Sequence, residues 1–211
     1  MDITISPSAL RGELHIIPSK SQAHRLLICA AFADQSTVLL CPDTNRDIEA
    51  TADCLRALGA EITKDPDGYH IKPITVLPKN AVLDCSESGS TLRFMLPIVG
   101  ALGVDTVFQM AGRLPQRPLS PLWEEMERMG CRLSWLGPDM LHCTGKLNPG
   151  EYQIRGDVSS QFITGLLYAL PLLPGDSTLT VTGKFESASY IDLTLSALAD
   201  FGVKIHREGA V

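Results

Sequence analysis

The sequence predicts an α/β fold made of three repeated βαβαββ units around an approximate threefold axis, with parallel helices buried inside and sheets outside. Two sets of recurring segments support this prediction. Gly59, Gly130 and Gly202 each separate a helix end from an alternating strand, and they lie 71 and 72 residues apart. Three hydroxyl-bearing helix starts align on Ser21, Ser90 and Ser160, with spacings of 69 and 70 residues. One repeat therefore organises the whole chain.

Each repeat is predicted to contain a first strand, an almost wholly apolar helix, a strand, an amphipathic helix and a hairpin. The apolar helices are expected over residues 20–33, 89–102 and 159–172, and the strands after them over 37–41, 105–110 and 177–181. The amphipathic helices are expected over 46–58, 118–129 and 188–201. Two hairpins pair 61–64 with 69–72 and 132–135 with 140–143, while the third has only a first strand from residue 203. Helices that are apolar almost all round should pack together at the centre.

The composition is that of a folded protein and not of a disordered, collagen-like or coiled-coil chain. The 211 residues are 45% hydrophobic and 20% charged, with a net charge of −6 and a pI near 5.3. This length predicts one or two domains, and the acidic balance argues against nucleic acid and membrane surfaces as partners.

The expected cellular location and the redox state of the cysteines follow from features that the sequence lacks. It has no membrane-length apolar run and no recognisable signal peptide, so a cytoplasmic location is expected. The six cysteines lie in apolar stretches without a C-x-x-C pair, and we expect reduced core thiols instead of metal ligands or disulfides.

The starts of the three apolar helices carry residue types that bind anions. Unpaired backbone N–H groups give a helix N-terminus a partial positive charge, so three neighbouring N-termini form an anion site. The residues at these starts are Lys20, Ser21 and Arg25, then Gly89, Ser90, Thr91 and Arg93, then Ser159, Ser160 and Gln161. Serine most often only caps a helix, but three equivalent hydroxyls with basic residues at two starts favour a binding site.

A basic loop, residues 112–118, adds Arg113 and Arg117 at the same end of the second repeat. Pro118 is expected in the first turn of the amphipathic helix, which would direct Arg117 towards the strand ends. The equivalent loop of the third repeat offers hydroxyls, including Ser187 and Tyr190. An exposed loop arginine is usually only solvated, so this loop supports an anion site mainly in combination with the helix starts.

Five motifs now stand in order: Pro-Ser-Lys-Ser-Gln-Ala-His-Arg at 18–25, Ser-Gly-Ser-Thr-Leu-Arg at 88–93, Gly-Arg with Gln-Arg-Pro at 112–118, Asp-Val-Ser-Ser-Gln-Phe at 157–162, and Ser187 with Tyr-Ile-Asp at 190–192. Together they resemble the 5-enolpyruvylshikimate-3-phosphate synthase (3-phosphoshikimate 1-carboxyvinyltransferase) family over essentially the whole chain. The resemblance implies the enolpyruvyl transferase fold, an inverse α/β prism-like lobe. Members have two such lobes of three units each, with the active site between them.

The resemblance also implies a role for individual residues. Shikimate 3-phosphate would be held by Lys20, Ser21, Arg25, Ser159, Ser160, Gln161, Ser187 and Tyr190. Phosphoenolpyruvate would be held by Lys20, Gly89, Arg117 and Gln161. Lys20 would touch both substrates and is the catalytic residue expected in this chain. Arg93 and Arg113 match motif positions and are expected to provide cleft charge or structural support.

The implied reaction transfers the enolpyruvyl group of phosphoenolpyruvate to the 5-hydroxyl of shikimate 3-phosphate and releases phosphate. It belongs to the shikimate pathway of aromatic amino acid biosynthesis, is the target of glyphosate, and uses no metal or organic cofactor. The family's acid/base carboxylates and several phosphoenolpyruvate-binding arginines come from the other lobe. This chain alone is therefore expected to show no turnover and at most weak binding of shikimate 3-phosphate.

The resemblance further implies how the chain is divided. Residues 1–19 are assigned to a segment shared with the second lobe, and 20–211 to the N-terminal lobe, with repeats at about 20–80, 81–150 and 151–211. The last repeat is incomplete, so we expect an N-terminal half whose main partner is the C-terminal lobe of the same enzyme, monomeric at full length.

One departure from the family and two alternatives stay open at this point. Glu87 stands where the family commonly has asparagine, and its charge is expected to alter sensitivity to anionic inhibitors such as glyphosate. Unchanged inhibition of a full-length Glu87→Asn variant would refute this hypothesis. The first alternative is the sister enolpyruvyl transferase acting on UDP-N-acetylglucosamine, whose usual Lys-Asn pair and loop cysteine are missing here. The second is a non-catalytic module that binds small anions.

Overall fold

The computed structural model describes residues 3–208 except Ile5, Ser8, Leu10, His15, Phe185 and Glu186. These residues form α-helices and β-strands, and short 3₁₀ turns cover Leu114–Gln116 and Leu170–Leu172. The helices are α1 (Lys20–Ala31), α2 (Arg46–Ala57), α3 (Gly89–Leu102), α4 (Leu122–Arg128), α5 (Ser160–Ala169) and α6 (Ala188–Asp200). The strands are β1 (Thr37–Leu40), β2 (Glu61–Lys64), β3 (Gly68–Lys72), β4 (Asn80–Asp84), β5 (Asp105–Gln109), β6 (Cys131–Trp135), β7 (Met140–Gly145), β8 (Glu151–Arg155) and β9 (Thr178–Thr182).

Strand pairing confirms the predicted repeat. The sheet of the second unit has the order β4-β5-β7-β6, with β4 parallel to β5 and the other two pairs antiparallel. The sheet of the first unit, β1-β3-β2, repeats the antiparallel part of that order. The sheet of the third unit, β8-β9, repeats the parallel part. The three sheets therefore share one topology, of which the second unit shows every strand.

The three apolar helices form the centre of the fold, as their composition predicts. Residues 91–101 of α3 and 162–169 of α5 are all buried, and most of α1 is buried too. Gln161 contacts Ser90 at the helix starts, and Gly165 meets Arg93 and Pro97 one turn further on. Because the contacts advance in the same direction along both helices, α3 and α5 run parallel, with their N-termini side by side.

Gly165 permits a close approach between these two helices. A methyl group on it would overlap the carbonyl oxygen of Arg93 and lie 3.0 Å from Pro97 Cγ. Pro97 has no N–H to bond that carbonyl within α3, so the carbonyl faces the bare backbone of Gly165. Two rigid helices thus meet at one position that has no side chain.

Gly165→Ala is expected to lower the free energy of unfolding by about 1–3 kcal/mol, because the methyl group forces two packed helices apart. Denaturant unfolding measures the change. The control is Gly100→Ala, whose methyl group would meet the side-chain atoms Cys131 Sγ at 2.9 Å and Met126 Cε at 3.1 Å, which can move. An equal or smaller loss for Gly165→Ala would contradict a limiting backbone contact.

Two predicted helix boundaries are wrong, and prolines explain both. The fourth helix begins at Leu122 and not at Pro118, because Pro118 and Pro121 bias the residues before them to extended backbone. Arg117 has such a backbone, with φ −79° and ψ 131°. The fifth helix ends at Ala169, after which a 3₁₀ turn containing Pro171 covers Leu170–Leu172. The remaining helix and strand boundaries lie within two residues of the predicted positions.

The two ends of the chain differ from the predicted repeat. Among the described residues before Lys20 there is no strand, so the first unit shows no counterpart of β4 or β8. Residues 203–208 are not in a strand either, and the rest of the hairpin strand predicted from Val203 lies outside the described residues.

The predicted burial of the cysteines is confirmed. All six cysteines are buried and unbridged. Burial raises the pKa of Cys29 to about 12, which makes it an unreactive thiol at neutral pH. In the described part of the chain, no helix is both long and apolar enough to cross a membrane.

Candidate active site

The start of α1 presents Lys20 at the surface. Ser19 caps the helix by accepting a hydrogen bond from the Gln22 amide at 3.4 Å. Lys20 Nζ lies 2.8 Å from Asp47 Oδ2, and the lysine side chain is 48% exposed. Asp47 belongs to the first turn of α2, so this ion pair joins two helix starts. The ammonium group is oriented and accessible at once.

The start of α3 gathers two guanidinium groups around Gly89. Ser88 caps the helix, and Gly89 follows as its first residue. A methyl group on Gly89 would overlap the Arg117 guanidinium and lie 2.7 Å from Arg93 Nη1. The loop after β5 brings Arg117 to this point, whereas Arg93 rises from within α3. Gly89 thus marks where backbone amides and two positive charges converge.

The charge at this point is not neutralised by nearby acids. In the described part of the chain, neither Arg93 nor Arg117 forms an ion pair with a carboxylate. Burial and the neighbouring Arg117 lower the pKa of Arg93 to about 10, which still leaves it charged at neutral pH. Two adjacent cations and a helix N-terminus create a strong local attraction for anions.

Gln161 links the starts of α5 and α3. Its side-chain oxygen accepts from Arg93 Nη1 at 3.1 Å, and its nitrogen donates to Ser90 Oγ at 2.9 Å. Ser159 caps α5 and accepts from the Gln161 amide at 3.3 Å. Ser160, the first residue of α5, is partly exposed beside it. The second and third helix starts therefore form one hydrogen-bonded surface.

Arg25 is held deep below the start of α1. Its Nε donates to Thr194 Oγ1 at 2.9 Å, its Nη1 to the carbonyl of Ser21 at 2.7 Å, and its Nη2 to Thr164 Oγ1 and to the carbonyl of Tyr190. Only 3% of Arg25 is exposed, and burial lowers its pKa. All these partners are neutral, and one buried charge connects α1, α5 and α6 through four of its five N–H groups.

The start of α6 contributes Ser187 and Tyr190. Ser187 has left-handed backbone angles, φ 59° and ψ 39°, which are uncommon for a residue other than glycine. Its carbonyl accepts from the Tyr190 amide at 3.0 Å. Tyr190 is 44% exposed as a whole residue, and the centroid of its ring lies 5.9 Å from the Arg25 guanidinium carbon. Phe185 and Glu186, which precede Ser187, lie outside the described residues.

Most predicted site residues come together, in two groups. The first contains Gly89, Ser90, Arg93, Arg117, Ser159, Ser160 and Gln161. The second contains Ser21, Arg25, Ser187 and Tyr190. Lys20 precedes Ser21 on α1 and pairs with Asp47 of α2. Arg113 is exposed before the 3₁₀ turn of the basic loop, and the carboxylate of Glu87 lies against Gly112 in the same loop.

Sequence reasoning missed the partners that hold the charged groups. Thr164 and Thr194 bind Arg25, and Asp47 binds Lys20. A signal existed for Thr164, because it is an isolated hydroxyl within the apolar run of α5. A buried hydroxyl needs a partner, and Arg25 is that partner. Across the described ranges, no three His, Cys, Asp or Glu side chains are grouped as a metal site would require.

The family of the chain follows from a comparison of its whole length. The family model described as EPSP synthase (3-phosphoshikimate 1-carboxyvinyltransferase) matches residues 5–210. The chain belongs to the EPSP synthase family. The family prediction made from five motifs is thereby confirmed.

Relatives of the EPSP synthase family agree over nearly all of the chain. A 3-phosphoshikimate 1-carboxyvinyltransferase of Clostridium botulinum is 44% identical over 208 residues, which are 95% of this chain and 48% of that protein. A protein of the same name from Clostridium beijerinckii is 43% identical over 213 residues, 97% of this chain and 49% of its own length. The chain thus spans about half the length of the curated relatives it matches.

Solved structures support the fold. An EPSP synthase from Acinetobacter baumannii matches with a TM-score of 0.76 at 21% identity, over 94% of this chain and 45% of that one. The enolpyruvyl transferase NikO from Streptomyces tendae matches with a TM-score of 0.61 at 19% identity, over 90% of this chain and 44% of that one. At these identities the likeness shows the fold alone, and it confirms the predicted enolpyruvyl transferase class.

The EPSP synthase motif at the start of α1 contains a fully buried histidine, His24. Its Nδ1 is 2.7 Å from Thr51 Oγ1, and its ring meets the edge of Phe94 with centroids 6.3 Å apart. Burial lowers the pKa of His24 to about 4; Asp47 raises it, while Lys20 and Arg25 lower it. The imidazole is therefore neutral at physiological pH.

Acidification from pH 7 to pH 5 is expected to reduce the free energy of unfolding by about 2 kcal/mol through His24. An unfolded histidine binds a proton near pH 6.5, whereas folded His24 stays neutral down to about pH 4. The unfolded state binds more protons throughout this interval, so stability is lost as the pH falls. Denaturant unfolding at both pH values should show a weaker dependence for His24→Gln. His142→Gln, which removes a histidine paired with Asp105 outside the site, should keep most of it.

Proposed function

We propose that this chain supplies one half of the active site of a 3-phosphoshikimate 1-carboxyvinyltransferase. The reaction transfers the enolpyruvyl group of phosphoenolpyruvate to the 5-hydroxyl of shikimate 3-phosphate and releases phosphate. The observation that carries the proposal is the convergence of Arg93 and Arg117 on Gly89 at the start of α3. Membership of the EPSP synthase family supports these substrates for that anion site.

Phosphoenolpyruvate is assigned to the first group of site residues. Gly89 lets an anion reach the helix backbone, because it has no side chain there. Arg117 supplies a planar pair of N–H donors suited to a carboxylate or phosphate. Gln161, already oriented by Arg93 and Ser90, would contact the side of the ligand that faces α5. Lys20 would complete the site from α1.

Shikimate 3-phosphate is assigned to the neighbouring surface. Ser159, Ser160 and Ser187 would bind its phosphate, and the exposed ring of Tyr190 would pack against its carbocycle. Ser21 and Arg25 would bind from α1, Arg25 through its remaining N–H group. Because Arg25 is tied to three helices, it would position the substrate with little loss of side-chain entropy.

Catalysis in this half would consist of positioning and charge stabilisation. Protonation of the enol carbon, attack by the hydroxyl and loss of phosphate all pass through states rich in negative charge. Lys20 would face both substrates, and its ion pair with Asp47 orients the ammonium group. The acid/base groups are assigned to the second lobe, since the chain spans about half of its relatives.

The N-terminal segment, residues 1–19, is assigned to the contact with that lobe. Its described apolar side chains are unusually exposed, including Leu14 at 85%, Ile16 at 78% and Ile17 at 68%. Exposure of neighbouring apolar side chains to water is unfavourable, so a protein surface that covers them would stabilise the segment.

Titration of the ¹⁵N-labelled chain with shikimate 3-phosphate tests the proposed function. Weak saturable binding is expected, with amide shifts at the starts of α1, α5 and α6 and no turnover when phosphoenolpyruvate is added. Phosphate and shikimate, each alone, are the matched ligand controls and should bind more weakly. Shifts confined to other surfaces, or turnover by this chain alone, would contradict the assignment.

The same titration separates the alternative functions. Equal shifts with inorganic phosphate and shikimate 3-phosphate would favour a non-catalytic anion module. Tighter binding of UDP-N-acetylglucosamine would favour the sister transferase, although the names of the curated relatives support the shikimate enzyme.

A further inference from the structure

A chain of four buried polar side chains runs beneath the start of α3. His24 Nδ1 lies 2.7 Å from Thr51 Oγ1, which lies 2.7 Å from Thr91 Oγ1, which lies 2.7 Å from Ser88 Oγ. The three residues from His24 to Thr91 are wholly buried, and Ser88 is 1% exposed. The chain therefore joins α1, α2 and α3 and ends at the cap of α3.

The number of available hydroxyl hydrogens determines the donor and the acceptor in each of these hydrogen bonds. Thr91 has a single hydroxyl hydrogen, and its 2.7 Å contact with Ser88 Oγ is far better than its 3.4 Å contact with the carbonyl of Asp47. Because Thr91 donates to Ser88, it must accept from Thr51. Thr51 has then used its own hydrogen, so it must accept from His24 Nδ1.

The direction determines the tautomer of His24. Nδ1 carries the proton, and Nε2 is left with a lone pair that is buried and has no partner in the described part of the chain. A buried unpaired acceptor costs about 1–3 kcal/mol. Apolar residues of similar shape would fill the same space without that cost, so packing alone gives no reason for this polar chain.

The end of the chain touches the candidate active site directly. Ser88 Oγ accepts from the Thr91 amide at 3.2 Å as well as from the Thr91 hydroxyl. These two bonds hold the first turn of α3. That turn begins with Gly89, which lies beside the two arginines. A change in the Ser88 side chain would therefore alter the backbone amides that face the anion.

We infer that His24, Thr51 and Thr91 are positioning residues for the anion site at the start of α3, acting through a one-directional hydrogen-bond relay that ends on Ser88. The inference rests on the proposed function for the identity of the anion, phosphoenolpyruvate. The relay itself is present in the protein without any bound substrate.

Two measurements on the free chain test the relay without any substrate. A long-range ¹H–¹⁵N spectrum of the histidine rings should show Nδ1 of His24 protonated and Nε2 unprotonated; the opposite tautomer would reverse the direction and overturn the relay. Thr51→Val should move the amide resonances of Gly89 and Ser90. The control Thr106→Val removes another fully buried threonine hydroxyl, bonded to the carbonyl of Val104 at 2.9 Å, and should not move them.

Titration with phosphoenolpyruvate then tests the positioning role. Thr51→Val should weaken binding about fivefold, the expected effect of losing one good hydrogen bond. Thr51→Ser, which restores the hydroxyl, should recover the affinity, and Thr106→Val should keep it. Equal losses for the two valine variants, or no recovery with serine, would overturn the inference. If the unchanged chain binds no phosphoenolpyruvate, the tautomer and amide shifts still decide the relay, and the shikimate 3-phosphate titration decides the proposed function.

Discussion

Gly89→Ala is expected to weaken the binding of phosphoenolpyruvate at least about tenfold, a loss of about 1.4 kcal/mol. The new methyl group would occupy the space where the Arg117 guanidinium lies and press against Arg93. It would also block the approach of an anion to the first amides of α3. Gly89 does not have the left-handed backbone that favours glycine, so the substitution introduces a steric change without backbone strain.

A phosphoenolpyruvate titration measures the Gly89 effect, and thermal unfolding separates it from misfolding. Alanine is a better helix former than glycine, so the variant should unfold at an unchanged or slightly higher temperature. Gly137→Ala is the matched control, because its methyl group would meet only Met140 and Asp139 at ordinary distances of 3.4 Å and 3.9 Å. An affinity equal to that of the control would show that the anion does not bind at the start of α3.

Phe94→Ala is expected to lower the free energy of unfolding by about 3–5 kcal/mol, the usual cost of removing a fully buried phenyl ring. Phe94 is 1% exposed at the centre of the molecule. Its ring meets His24 at 6.3 Å and Tyr168 at 6.0 Å between centroids, and it lies 5.3 Å from the Arg25 guanidinium carbon. One side chain thus supports both a core contact and a buried site arginine.

The milder change Phe94→Leu separates these two roles. Phe108 is also fully buried but has no contact with Arg25, so Phe108→Leu is the control of equal chemistry. Denaturant unfolding should show similar losses for the two leucine variants. Only Phe94→Leu should also weaken the binding of shikimate 3-phosphate, because Arg25 loses its aromatic support. Equal affinities would mean that the ring does not position Arg25.

Helix starts were the most predictable feature of this fold. The predicted starts at Lys20 and Gly89 coincide with those of α1 and α3, because a capping serine precedes each one. The start of α4 was missed by four residues, because proline at 118 was read as a first-turn residue when it instead keeps the chain extended. Local rules therefore succeeded where one signal acted and failed where two prolines competed.

The candidate site was predictable by residue type but not by environment. Lys20 and Arg25 lie in one motif, yet Lys20 is 48% exposed as a side chain and Arg25 only 3%. The difference depends on Thr164 and Thr194, which stand far away in the sequence and meet Arg25 only when α5 and α6 pack against α1. Nothing near Arg25 in the sequence announces these partners.

The sequence by itself determined the repeat, the three apolar helices, the anion-binding residue types at their starts and the family. These features depend on periodicity and on neighbours within a few residues, so they can be read along one dimension. Only the tertiary structure decided which arginine is buried, that Gly89 faces two guanidinium groups, and that His24 is connected to the cap of α3. Those properties come from side chains on different elements, up to 169 residues apart, that share one low-dielectric interior, where burial and unpaired hydrogen bonds determine charge and orientation.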